Sequence, residues 1–102
     1  MTQKRACFVS APYGVDTSVL IEELGRRGFT AIDGRSLQPS ASIRLAIRDA
    51  MQKVQYCVAV LPETGRSNVY FEIGLAVGLS KQVAVFADRS TLLPNEIGRA
   101  HV

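Results

Sequence analysis

Tyr56 to Leu61 reads Y-C-V-A-V-L and is closed by Pro62. An unbroken apolar run, without the alternation of a half-solvated strand, indicates a strand buried on both faces, as in a parallel sheet covered by helices. The flanks agree. Before it, Ile43, Ala46, Ile47, Ala50, Met51 and Val54 recur on one helical face, with Ser40 as N-cap behind Pro39 and with Arg44, Arg48, Asp49 and Lys53 on the opposite face. After it, Ser67 to Ser80 reads as a helix and Gln82 to Ala87 (Q-V-A-V-F-A) as another strand. Toward the N-terminus, Ala6 to Ser10 (A-C-F-V-S) forms a strand that runs into the turn-rich A-P-Y-G-V-D. Asp16 then caps a helix reaching about Arg27, with Val19, Leu20 and Leu24 inward and Glu22 and Glu23 near its positive end. Gly28 supplies a left-handed stop, and Phe29 to Asp33 is a second strand. Asp88 to Val102 carries turn residues and one proline and gives no assignable element.

Strand and helix thus alternate, which predicts an α/β fold with right-handed crossovers. The expectation is a flavodoxin-like three-layer sandwich, one domain over residues 1–102, with a parallel sheet of four or five strands in the order 2-1-3-4(-5). In that order the chain reverses between the first and third strands, and ligands bind outside their carboxyl ends. Two segments are then expected to form a site, Ser10 to Asp16 and Pro62 to Glu72.

The 102 residues are 47% hydrophobic and 21% charged, and no apolar run approaches the roughly 20 residues that cross a bilayer. The start, Met1 to Arg5, lacks the apolar segment of a secretory signal, so a cytoplasmic protein is expected. Twelve basic against nine acidic side chains give a net charge of +3, and nine of the twelve are arginines, suited to phosphate or carboxylate. They are spread along the chain, which favours a small anionic ligand over a nucleic-acid stripe. Cys7 and Cys57 each fall inside a strand and read as small apolar residues rather than a disulfide. With two cysteines and one histidine, His101, no metal site and no cofactor is expected.

Within Ser67 to Ser80 (S-N-V-Y-F-E-I-G-L-A-V-G-L-S) the one ionisable carboxylate is Glu72. Such a helix is expected to be mostly buried, and a buried, unpartnered carboxylate costs several kcal/mol, so Glu72 must reach solvent, a partner or a cleft. Asn68, one turn earlier, projects to the same side. Gly74 and Gly78, with Ala76 between them, make a smooth strip for close packing or for self-association into a homo-oligomer. In the first loop, Ser10, Pro12, Tyr13, Gly14 and Asp16 are placed to meet a ligand, Gly14 because its backbone permits close approach. Arg66 stands nearer the crevice than Glu63 and can meet a phosphate. No G-x-G-x-x-G or P-loop occurs, and the penultimate His101 is poorly placed for a Ser-His-Asp triad.

These residues carry a resemblance. F-V-S-A-P-Y-G-V-D, C-V-A-V-L-P and S-N-V-Y-F-E-I-G-L-A-V-G-L-S-K-Q-V-A-V-F together resemble the nucleoside 2-deoxyribosyltransferase superfamily and the related TIR-like (Toll/interleukin-1 receptor) nucleotide-processing domains, over roughly residues 6 to 87. The resemblance implies an N-glycosidic-bond-cleaving enzyme, hydrolase or transferase, acting on a nucleoside, a nucleoside monophosphate or NAD. Glu72 would be its nucleophile or the stabiliser of the sugar cation. Asp16, with Asp33 behind it, is the candidate second carboxylate; Asn68 would hold a ribose hydroxyl, and Ser10 or the Gly14 amide a phosphate. The alternative is a non-catalytic, self-assembling nucleotide sensor, and more distantly a flavodoxin-like electron carrier. Members of these families are usually longer than this chain, and their neighbouring subunits help to complete the site.

Overall fold

The computed structural model describes residues 5–37, 43–61 and 68–87. Four strands, β1 (Arg5–Ser10), β2 (Phe29–Asp33), β3 (Tyr56–Leu61) and β4 (Gln82–Ala87), form a parallel sheet in the order β2-β1-β3-β4. Between them run the helices α1 (Ser18–Arg26), α2 (Ile43–Gln52) and α3 (Asn68–Gly78), and a short 3-10 turn, Gly34–Ser36, follows β2. The expected α/β sheet and its 2-1-3-4 order are therefore present. The residues that would supply a fifth strand, 88–102 with His101, lie outside the described residues, as do Ser40 and Arg66.

Period-two alternation sorts the strand side chains into two cores. On one face Phe8, Cys57 and Val83 pack with Ile47, Met51, Val54 and Ala76 of the α2 and α3 layer. On the other, Cys7, Val9 and Val58 pack under Leu20, Ile21 and Leu24 of α1. Burying a side chain such as Phe8 or Met51 completely, as here, contributes about 1.5–3 kcal/mol. Cys7 and Cys57 fall into opposite cores and are both free. Burial pushes their thiols up to about 11 and about 12, so both are protonated, inert core residues.

The helices depart from the sequence expectations at specific positions. Because α1 begins at Ser18, its core-facing, half-buried stripe is Leu20, Ile21 and Leu24, and Val19 falls nearly opposite, 78% exposed. Thr17 is the N-cap, with no side-chain cap bond, while Asp16 one residue earlier accepts the Ser18 N–H at 2.9 Å. Glu22 and Glu23 lie past the first turn and pair with Arg26 and Arg27 instead of the helix N-terminus. Helix α2 ends at Gln52, so Val54 reaches the core from the connection to β3. Gly28, at φ +88°, is the expected left-handed stop.

Helix α3 holds the largest correction. It is not mostly buried: Val69, Glu72 and Ala76 face inward, while Tyr70, Phe71 and Val77 are exposed and Gly74 and Gly78 are open. The single charge is thus inside and much of the apolar surface outside. Its end is a Schellman motif, with Ser80 left-handed at φ 61° and the Lys81 N–H donating to the Ala76 carbonyl at 2.9 Å. Among the described residues no helix is long and apolar enough to cross a membrane.

Candidate functional site

Ser10 ends β1 and shares the strand face of Phe8, so its hydroxyl points toward the α2 and α3 layer. There it donates a hydrogen bond to Glu72 Oε1. Asn68, one turn earlier on α3, donates from Nδ2 to the same oxygen at 3.4 Å. Both bonds end on Oε1. Oε2 accepts none among the described residues and lies 3.5 Å from where a Cβ on Gly34 would stand. Glu72 is 2% exposed. Burial pushes its carboxyl above the usual glutamate range, Ser10 and Asn68 hold it back, and the nearby negative Asp33 adds to the rise.

The carboxyl end of β2 is tied down by an arginine that the sequence reading did not single out. Asp33 Oδ1 accepts the Arg35 N–H at 2.8 Å and so caps the 3-10 turn, and Ser36 Oγ donates back to the Asp33 carbonyl at 2.6 Å. The Arg35 guanidinium then grips both carboxylate oxygens of Asp33, Nε to Oδ1 at 3.1 Å and Nη2 to Oδ2 at 2.9 Å. Its Nη1 donates to the carbonyls of Pro12 (2.9 Å) and Val15 (2.8 Å), and Nη2 also reaches Thr17 Oγ1 at 3.0 Å. A guanidinium has five N–H donors, and these five contacts engage them. Arg35 therefore sutures the β1–α1 loop to β2 and holds the Asp33 carboxyl below its ordinary range.

Between these elements lies a cleft of about 570 Å³ lined by Tyr13, Gly34, Arg35, Leu37, Ile43, Arg44, Ile47, Asn68, Phe71 and Glu72. Of the expected site residues it brings together Tyr13, Asn68 and Glu72, with Ser10 behind Glu72. The others have different work. Pro12 offers its carbonyl to Arg35, and Gly14, at φ +88°, makes the turn in which the Val15 N–H meets the Pro12 carbonyl at 3.3 Å, the pattern of a type II turn. Asp33 is the partner of Arg35. Asp16 is exposed, is not part of the cleft lining, and its carboxyl is held low by the Ser18 N–H.

The sequence reading missed the third wall. Gly34, Arg35 and Leu37 follow β2, and the expectation of only two site-forming segments left them out, although the carboxyl end of β2 borders the same crevice. Arg44, assigned to the solvent face of α2, instead lines the cleft and lies over the Phe71 ring, its guanidinium carbon 5.8 Å from the centroid. It forms no ion pair among the described residues. No cluster of three or more metal-binding side chains occurs among them either.

No protein-family model matches this chain, and no curated protein matches it at a significant level. Among solved structures, a 2-deoxyribosyltransferase from Leishmania mexicana superposes with a TM-score of 0.62, over 92% of this chain and 71% of that one, at 16% identity. The two chains share a fold. The expected structural relationship to deoxyribosyltransferases is present at that level, and the cleft lies, as the fold predicts, at the carboxyl ends of the strands.

Replacing Arg35 by alanine would leave Asp33 and two loop carbonyls without their donor. We expect a loss of about 3 kcal/mol in denaturant unfolding and faster proteolysis within residues 11–17. Unchanged stability in Arg35→Ala would show that the suture is dispensable.

Proposed function

We propose that the protein cleaves the N-glycosidic bond of a nucleotide-type substrate, with the Glu72 carboxylate as nucleophile or as the counter-charge to the sugar cation. The observation that carries this is the state of Glu72 itself: buried, fixed through Oε1, and with Oε2 left without a donor among the described residues at a cleft large enough for a nucleoside. Breaking the bond between the anomeric carbon and the base sends the electron pair to the base and leaves an oxocarbenium-like sugar. A carboxylate that burial has made costly to ionise gains most when such a cation forms beside it. Water or a second base then takes the sugar. The deoxyribosyltransferase fold supports the same class of chemistry.

Two further features support a substrate class. Arg35 has spent its donors, so among the described residues Arg44 is the cleft cation left to meet an anion, which favours a substrate bearing phosphate. Asp16 and Asp33 are both held in the ionised form, so neither is set up as a proton donor, which favours a base that leaves without one, as a cationic pyridinium does.

The outward face of α3 supports self-association. Tyr70, Phe71 and Val77 are exposed on an uncharged stripe that includes Gly74 and Gly78, and a Cβ at either glycine would meet nothing within 4 Å. A second copy of the chain is the occupant proposed: the stripe is apolar and uncharged, and Phe71 belongs both to it and to the cleft wall, so the copy seated there would border the site. A non-catalytic, self-assembling sensor would use the same face, and turnover separates the two readings.

Incubation with NAD and a panel of nucleosides and their monophosphates, followed by chromatography of the free base, tests the reaction. The wild type is expected to release base, and Glu72→Gln to lose turnover on the order of a thousandfold while remaining folded. Turnover should also fall with acid at a pH above the ordinary glutamate range, since Glu72 must ionise. Arg44→Gln should raise KM about tenfold for phosphorylated substrates and leave free nucleosides unaffected. Full turnover in Glu72→Gln would overturn the assignment; ligand binding without any base release would favour the sensor. For the assembly, a Cβ at position 78 meets nothing within 4 Å among the described residues, so Gly78→Leu should change the mass in sedimentation while the chain stays folded, and an unchanged mass would count against the interface.

A further inference from the structure

Gly34 lines the cleft in the turn after β2, and its φ is not in the left-handed region, so its lack of a side chain answers to space and not to backbone conformation. A Cβ built there would stand 2.7 Å from Phe8 Cζ, 3.0 Å from Phe8 Cε1 and 3.5 Å from Glu72 Oε2. The first distance is shorter than side chains tolerate and the second is tight, and Phe8 is fully buried in the core against α2 and α3, so its ring has little room to shift. The third is an ordinary contact. It matters for a different reason: it falls on the one Glu72 oxygen that no donor occupies among the described residues.

We propose that Gly34 is a positioning residue for the reaction, whose bare α-carbon keeps open the approach to Glu72 Oε2. A methyl group at 3.5 Å occupies the space that a sugar carbon needs, since reacting atoms must come within about 3–3.5 Å of each other. Asp33 just before it and Arg35 just after it are locked together, which fixes the turn and denies Gly34 the freedom to move aside. The carboxyl thus has three fixed surroundings: Ser10 and Asn68 on Oε1, the Phe8 ring beneath Gly34, and an open side at Oε2. This inference rests on Glu72 being the reacting carboxylate, but the openness of Oε2 can be read without turnover.

The test separates the two contacts of the missing Cβ. Phe8→Leu removes both ring atoms that a Cβ at 34 would strike and leaves Oε2 untouched. Gly34→Ala, Phe8→Leu and the double variant are compared by thermal melting, by base release, and by the rate at which a water-soluble carbodiimide labels Glu72, read by peptide mass spectrometry. We expect Gly34→Ala to melt below wild type, to lose kcat/KM on the order of a hundredfold, and to label slowly. The double variant should melt close to Phe8→Leu alone while its turnover and Glu72 labelling stay low, and it carries the comparison should Gly34→Ala fail to fold. Recovery of labelling and turnover in the double variant would show that Gly34 acts through core packing only and would overturn the proposal. So would labelling of Glu72 at the wild-type rate in a folded variant carrying Gly34→Ala. If the wild type releases no base, the glycosidic reading fails while the labelling comparison still decides whether Gly34 guards Oε2.

Discussion

The hydroxyl of Ser10 donating to the carboxyl of Glu72 joins the end of β1 to the second turn of α3, 62 residues apart in the chain. Much of the site's geometry hangs on that contact. It requires β1 and β3 to be neighbours in the sheet, because only then does the helix that follows β3 lie over the end of β1. It also requires the alternation that puts Phe8 and Ser10 on the α3 side and Cys7 and Val9 beneath α1. A carboxyl buried this deeply without such a donor would cost several kcal/mol. With it, one oxygen is satisfied and the other accepts no hydrogen bond among the described residues.

The two carboxyls at the carboxyl ends of these strands are driven apart in proton affinity by their surroundings. Asp33 has a guanidinium across both oxygens and stays ionised; Glu72 has burial, one hydroxyl and one amide, and resists ionisation. Each fits a different task. Asp33 anchors Arg35 and through it the loop that presents Tyr13, whereas Glu72 has no cation paired with it among the described residues. Paired titratable groups with divergent environments mark reactive sites in this way.

The sheet was legible in the sequence because burial on both faces leaves an unbroken apolar run, as in Tyr56 to Leu61, and because helical and strand periods alternate cleanly around it. Glu72 was legible because a lone charge in an apolar helix demands an explanation. What periodicity cannot give is direction: the composition of α3 suggested burial, yet its glycines, Tyr70, Phe71 and Val77 face outward, and only the packing of Val69 and Ala76 on the sheet fixes which side is which. Arg44 shows the same limit, since the polar face of α2 borders solvent along most of its length and the cleft at its first turn. Arg35 and Gly34 had no signal beyond their place at a strand's carboxyl end. Their roles are tertiary, set by acceptors in a different loop and by a ring from a neighbouring strand. Arg66 and residues 88–102 lie outside the described residues, and the roles expected of them stay with the sequence reading.

Glu72 is a buried carboxyl with one oxygen restrained and the other without a donor among the described residues. Its titration, followed by carbon NMR of selectively labelled glutamate with Glu72→Gln to assign the signal, measures that directly. A midpoint above the solvated glutamate range of about 4.3, moving further when a nucleotide fills the cleft, is expected. A midpoint at the solvated value, indifferent to nucleotide, would mean that Glu72 is open to water and would remove the basis for assigning it the reaction.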